Sequence, residues 1–353
     1  GYAFASPKWK GSRMKWKLLN WPLDNEAREL WTDFLVAAQM PTQYGSEHFF
    51  IDPFVRGGER FAIAAMDDAE KIAALSTGVQ KNGVVTCGLP SRPQLFFREG
   101  VDRQAALTCV FEGIVEAWNP KFIQLVSWGD IDGAESLGFE RMTDSGNNEV
   151  VLLDLSLGYE KLFKNFSSAR RNGIRKAERF GVEIMRLADD RDIDALYEIH
   201  VQWNRRKGNE PDDIESFRRG ARQTDSRAVF IAKYEGKVIA GSYFRFVKGG
   251  VMEYAGNNSF EEHQHLKPNE LLLSHGIKWA STQYIKTFSL GGAHPFLQRF
   301  GGEVVRTSVY TSDRTFLRLH RRREDLQNLR GKFIQLVGEK NKKRIARLVG
   351  RTA

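Results

Sequence analysis

The chain has 353 residues, 41 % of them hydrophobic and 27 % charged, the balance of a globular protein with room for two cores of ordinary size. No run approaches the ~18 apolar residues of a membrane-spanning helix. With only Cys87 and Cys109, a disulfide framework is excluded; the pair reads as two apolar thiols in a reducing cytoplasm, with a single disulfide left open. A net charge of +9 favours anionic partners: RNA, a nucleotide-bearing substrate or a membrane surface.

Residues 1–22 are basic and aromatic and lack the apolar core of a secretion signal. Met14 follows Gly-Ser-Arg, which leaves open whether residues 1–13 are native. Asn25 to Met40 reads as a helix. Ala62–Met66, a polar turn at Asp67–Glu70 and Lys71–Ala74 read as a β-hairpin, and Gly83-Val84-Val85 begins a third strand. Asp102 to Trp118 is a helix, with Leu107, Val110, Phe111, Ile114 and Val115 at helical spacing. Lys121–Val126 is a strand, and Leu137-Gly138-Phe139 marks a glycine turn.

The same order recurs roughly 166 residues later, the signature of an internal repeat. Ala228–Ala232, Lys233–Gly236 and Lys237–Ala240 repeat the hairpin, and Gly249-Gly250-Val251 begins the third strand. Pro268 to Tyr284 repeats the helix, Thr287–Gly292 the next strand, and Phe300-Gly301-Gly302 the turn. The second copy also has a front end. Tyr159–Phe166 and Ala169–Arg179 read as helices with Ser167 and Ser168 near a cap, Val182–Met185 as a strand, and Asp192–Arg206 as a helix. A hairpin followed by strand, helix and strand predicts an α/β protein, with a mixed sheet and flanking helices in each copy. The basic stretch from His320 to Arg351 reads as an amphipathic helix, docked on the body or facing a membrane surface or RNA.

Several residues carry a family resemblance. Arg170–Ile184 resembles the basic helix-to-strand element that opens the second half of FemAB-like transferases. Ile199-His200 through Arg205–Pro211 is similar to that family's arginine–glycine–proline loop. Tyr254-Ala255-Gly256-Asn257, followed by Pro268-Asn269-Glu270, resembles its strand–loop–helix. Phe296–Val304 resembles its closing phenylalanine–lysine–x–x–phenylalanine–glycine segment, with Leu297 in place of the lysine and Arg299 nearby. The resemblance is good over residues 154–311. It implies two tandem GNAT-like mixed-sheet halves, at 1–150 and 151–317, followed by a basic tail at 318–353. It also implies transfer of an activated acyl group to an amine. Family members in cell-wall synthesis take an amino acid from aminoacyl-tRNA; others are assigned as acyl-CoA-type transferases.

Such chemistry needs a neutral amine, a stabilised oxyanion and a proton path, but no covalent nucleophile. No Gly-x-Ser-x-Gly elbow is present. Glu253, Tyr254 and His294 are the candidates for the proton path, with water as another route, and Arg299 for the missing lysine charge. Arg171, Arg175 and Arg179 share a helical face, so that Arg170, Arg171 and Arg175 could hold donor phosphates or simply face solvent. By the resemblance, Trp203, Asn204 and Arg206 line the acceptor pocket, and Asn257, Asn269 and Glu270 bind substrate. GNAT enzymes usually cradle the coenzyme A pyrophosphate in a glycine-rich loop before the central helix. Here the junction, His263 to Glu270, contains no glycine. That favours aminoacyl-tRNA over acyl-CoA as co-substrate, with an amine acceptor on a cell-envelope precursor or small molecule. His263 and His265 lack a third ligand at convincing spacing, so no metal is expected; nor is a tightly bound cofactor or DNA. The alternatives are an acyl-CoA-dependent N-acetyltransferase acting on a sugar or small amine, and a non-catalytic protein that binds RNA or another anion.

Overall fold

The computed structural model describes residues 14–142 and 148–320. The expected basic tail and the question of residues 1–13 lie largely outside the described residues. In chain order the first half holds β1 (Lys15–Leu18), α1 (Asn25–Ala37), α2 (His48–Ile51), β2 (Glu59–Met66), β3 (Ile72–Lys81) and β4 (Val84–Leu89). After these come β5 (Arg92–Pro93), β6 (Leu95–Phe97), α3 (Arg103–Trp118), β7 (Phe122–Trp128) and β8 (Glu140–Arg141). Next are β9 (Glu149–Asp154), α4 (Tyr159–Asn165), α5 (Ser168–Arg179), β10 (Glu183–Arg186), α6 (Asp190–Lys207) and α7 (Ile214–Arg222). The chain then forms β11 (Arg227–Tyr234), β12 (Lys237–Phe246), β13 (Val251–Ser259), α8 (Pro268–Ser281), β14 (Thr287–Gly292), α9 (Pro295–Gln298) and β15 (Glu303–Asp313).

The expected mixed α/β architecture is present. Each of the five elements matched in sequence has its counterpart: β2 and β11, β3 and β12, β4 and β13, α3 and α8, β7 and β14. Local chemistry sets their ends. Asp102 caps α3 by accepting from the Gln104 and Ala105 N–H groups, Ser167 caps α5 and Asp213 caps α7. Gly208 ends α6 in the left-handed region at φ 73°, where glycine carries no Cβ penalty.

The strands form one continuous sheet in the order β1-β2-β3-β4-β7-β15-β9-β14-β13-β12-β11-β10. Most neighbours are antiparallel; β4–β7 and β13–β14 are parallel, as a helical crossover between them requires. The two halves exchange strands. β9 follows the first half in sequence but pairs with β14. The first four residues of β15, Glu303–Arg306, pair with β9, and the rest pair with β7 and β8. Both faces of each half are covered. In the first, α3 packs on Ile63, Val85 and Leu125, and α1 on Ala62, Ala64 and Leu75. In the second, α8, α5 and α4 cover Phe230, Phe244 and Phe288, and α6 and α7 cover Val229 and Ile231.

Both cysteines are free and buried, and burial pushes both thiols up to about 12. No helix among the described residues is long and apolar enough to cross a membrane.

Candidate active site

The second half contains a fork. β13 pairs with β12 as far as Ser259, but with β14 only from Val251 to Glu253. Beyond Glu253 and Ser289 the two parallel strands part, while β14 stays paired to β9 along its other edge. Within the fork β13 carries a bulge. Tyr243 faces Gly256 and Phe244 faces Tyr254, so Ala255 is the extra residue. A bulge leaves its extra residue outside the ladder and re-aims the backbone beside it.

On the α8 face of the fork lie Tyr254, Asn257, Asn269 and Glu270. Tyr254 packs near Phe244, with ring centroids 5.8 Å apart, and burial raises its hydroxyl pKa. Asn257 is half-buried opposite Ser242, whose buried hydroxyl has no partner. Asn269 donates to the Ser259 hydroxyl at 3.3 Å, and its own Oδ1 is unpartnered. Glu270, in the first turn of α8, meets Arg170 of α5 at 3.0 Å in a buried ion pair. The Arg170 guanidinium also lies 3.8 Å from the Phe296 ring centre and 5.5 Å from that of Phe300. Burial lowers the Arg170 pKa; Glu270 opposes this, and Arg299 adds to it.

The structure separates the arginines expected to hold donor phosphates. Arg170 is buried. Arg171 donates to the carbonyls of Lys164 and Phe166 at the end of α4, so it fastens one helix to the next. Only Arg175 and Arg179 remain exposed, lining an open concavity of about 570 Å³ with Asn172 and Glu178. The helical spacing was right; tertiary partners 100 residues away in sequence or in the preceding helix redirect two of the side chains. His294 is exposed and caps α9 by accepting from the Phe296 N–H at 3.1 Å, while the Arg299 carbonyl accepts from the Ser167 N–H at 2.8 Å. Arg299 thus joins the closing segment to the start of α5, whereas His294 only caps a helix within that segment.

Glu253 sits on the opposite face of β13. It is 6 % exposed and pairs with Arg245 of β12 at 3.5 Å. Its other oxygen, Oε2, has no partner. The half-buried Trp203 and the exposed Arg206 also belong to this face, on α6, where Arg206 meets Glu261 at 3.1 Å. The candidates thus divide between the two sides of one fork.

Two clusters on the second side escaped the sequence reading. His200 donates through Nδ1 to Asn258 Oδ1 at 3.1 Å and accepts the Asp212 N–H through Nε2 at 3.1 Å. Tyr243 donates to the same Asn258 oxygen at 2.8 Å, and Asp212 pairs with Arg56 of the first half at 2.7 Å. The second cluster fills the seam between the halves. Arg227 pairs with Asp52, Arg245 lies 4.4 Å from the Tyr44 ring centre, and Gln43 reaches Ser226 at 3.4 Å. Burial works against the Arg245 charge, but Glu253, Tyr44 and Asp52 outweigh it and raise its pKa. A signal was available: Arg245 and Glu253 interrupt runs of buried strand residues, where a charge demands a partner. Among the described residues, no cluster of three or more His, Cys, Asp or Glu side chains could hold a metal.

Residues 164–299 match the model of the acetyltransferase (GNAT) domain family. Among solved structures, the chain resembles FemX at 13 % identity, over 84 % of this chain and 96 % of that one, with a TM-score of 0.63. It resembles the C-terminal domain of a putative lysylphosphatidylglycerol synthetase from Agrobacterium fabrum at 12 % identity, over 83 % and 93 % of the two chains, with a TM-score of 0.55. It also resembles a tandem GNAT protein from the clavulanic acid biosynthesis pathway at 10 % identity, over 86 % and 99 %, with a TM-score of 0.51. No curated protein sequence matches the chain. The forked half is thus a GNAT-type acyltransferase domain. It is carried on the fold that FemX also has.

Proposed function

We propose that the protein moves an aminoacyl group from aminoacyl-tRNA onto an amine. The observation that carries this reading is the buried Arg170–Glu270 pair at the start of α8. A coenzyme A pyrophosphate would approach this helix N-terminus, where free N–H groups attract phosphate. Here a carboxylate stands in the first turn, Pro268 removes one donor, and Lys267 enters the helix through the left-handed region at φ 61°. A donor anchored by scattered cations has less need of that cradle. Arg175 and Arg179, exposed on the outer face of α5, supply such cations. The likeness to FemX, and to a lysylphosphatidylglycerol synthetase domain, adds support from the fold alone.

In this reading the amine nitrogen attacks the ester carbonyl of the donor inside the fork. The carbon–nitrogen bond forms, the ester carbon–oxygen bond breaks, and the amine proton ends on the departing ribose oxygen. The backbone N–H groups beside the Ala255 bulge stabilise the oxyanion. Tyr254 lies on the donor side and its raised pKa keeps it a neutral hydrogen-bond donor at physiological pH. Glu253 lies on the amine side.

The test incubates full-length protein with tRNA charged with a radiolabelled amino acid, and in parallel with labelled acetyl-CoA, against a panel of amines. Label passing from tRNA to amine is the expected result. Acetyl transfer with tight coenzyme A binding and no affinity for tRNA overturns it in favour of an N-acetyltransferase. Binding of tRNA with no transfer to any amine overturns it in favour of a non-catalytic RNA-binding role.

A further inference from the structure

The first half has a counterpart of the fork, and it is closed. β4 and β7 pair in parallel from Val84–Cys87 to Phe122–Leu125, as β13 and β14 begin to do. Beyond Cys87 the gap is filled by the chain itself. β3 changes partner from β4 to β6, and Leu95 of β6 pairs with Ser127 of β7. The Gln94 N–H donates to the Val126 carbonyl and the Thr77 N–H to the Gln94 carbonyl, each at 3.1 Å. An acyl donor has no opening here. The excursion that makes the closure possible, residues 88–94, turns at Gly88 with φ 102°; a Cβ there would stand 2.7 Å from the Arg92 carbonyl. Arg92 follows its tip, paired opposite Leu89.

Arg92 lies within electrostatic reach of Arg245, Glu253 and Tyr44 at the seam. Its guanidinium is half-buried and has no ion pair or hydrogen bond among the described residues. Arg245 repels it and burial disfavours its charge, so its pKa falls, against the pull of Glu253 and Tyr44. Along the same seam lie six of the eleven buried side-chain atoms that lack a partner among the described residues: Thr42 Oγ1, Gln43 Oε1, Gln223 Oε1, Arg227 Nε, Arg245 Nε and Glu253 Oε2. Buried polar groups are ordinarily satisfied, so such a concentration marks a place where something else binds. What it wants is mixed: an anion for Arg92 and a hydrogen-bond donor for Glu253, which is the last residue of β13 paired to β14 before the fork.

We propose that this seam binds an amine that also carries a carboxylate or phosphate group. Arg92, backed by Arg245, holds the anion, and Glu253 Oε2 accepts from the amine N–H at the mouth of the fork. The proposal rests on the acyl-transfer reading for what the bound amine does, and names its class: an acidic amine, delivered to the site of the second half by the closed fork of the first.

Calorimetric titration of the full-length protein with phosphoethanolamine, β-alanine and ethanolamine tests it. Phosphoethanolamine or β-alanine should bind at least about tenfold tighter than ethanolamine, the worth of a charge-assisted contact, and the stronger of the two identifies the anion. Arg92→Gln should abolish that advantage, Arg92→Lys should keep part of it, and Lys237→Gln, a control at the far β11–β12 turn, should leave it intact. Equal binding of all three amines, binding of none, or full retention in Arg92→Gln overturns the proposal. The two readings fail separately. Arg92-dependent binding without any acyl transfer leaves the site standing and removes the transferase. Transfer with an unchanged acceptor KM in Arg92→Gln does the reverse.

Discussion

Breaking the Arg170–Glu270 pair by halves should cost far more than removing it whole. The two side chains are only 9 % and 11 % exposed, and the guanidinium is stacked on Phe296 as well as paired. Removing one partner of a buried pair leaves an uncompensated charge, typically at a cost of about 3–5 kcal/mol. Lys267 Nζ lies 3.9 Å from the same Glu270 oxygen and would soften the loss in Arg170→Met, to about 3 kcal/mol. Glu270→Met leaves Arg170 facing Arg299 with no counter-charge and should cost about as much or more. The double variant Arg170→Met/Glu270→Met replaces ions by apolar groups of similar volume against Phe296 and should fall within about 1 kcal/mol of the parent. Denaturant unfolding followed by tryptophan fluorescence measures all four proteins, and the cycle gives the coupling directly. Additive single costs, with a coupling below about 0.5 kcal/mol, would refute the view of this contact as a buried, mutually dependent pair.

Deleting Ala255 should return β13 to a regular ladder. Folding should survive with native circular dichroism, but transfer should fall by about 100-fold or more, as when an oxyanion donor is lost; unchanged turnover would remove the bulge from the mechanism. Gly220→Ala places a Cβ 2.4 Å from the Phe54 ring at the seam, so a loss of about 1–3 kcal/mol is expected, seen as faster limited proteolysis of the residue 40–56 loop. Cys87 and Cys109 keep their protons when folded up to about pH 12, whereas in the unfolded chain they lose them near 9.0. Between those values the native state binds more protons, so stability should fall as pH rises, by up to about 1.4 kcal/mol per pH unit for each thiol. A melting temperature flat from pH 9 to 11 would contradict this, as would rapid labelling of either thiol in the native protein at pH 8.

The elements were legible because local chemistry makes them. Asp102 and Asp213 cap helices, Gly208 ends one, and the apolar spacing of Leu107, Val110 and Ile114 defines a buried face. The side of the sheet that a strand residue faces was much less legible. Glu253 and Tyr254 are neighbours in sequence and lie on opposite faces of β13, so one candidate meets the donor side and the other the seam. Arg170 and Arg171 also diverge, one toward Glu270 and the other toward the end of α4. Arg92 carried no motif at all. Its position depends on the pairing of β6 with β3 and β7, a register that follows from strand partners set far along the chain. His200 was noticed only as part of a resemblance, since its partners Asn258 and Tyr243 come from two strands beyond it.

The strand exchange has a consequence for biosynthesis. The C-terminal part of β15, residues 307–313, covers the outer edge of β7, yet it is nearly the last described segment to leave the ribosome. Until then the first half exists as an open-edged sheet with a row of unpaired backbone groups, the kind of edge that recruits other chains. A nascent chain stalled before residue 303 therefore presents a complete hairpin and helix but no finished domain. The tethered chain itself must keep that edge free of strangers until β15 arrives.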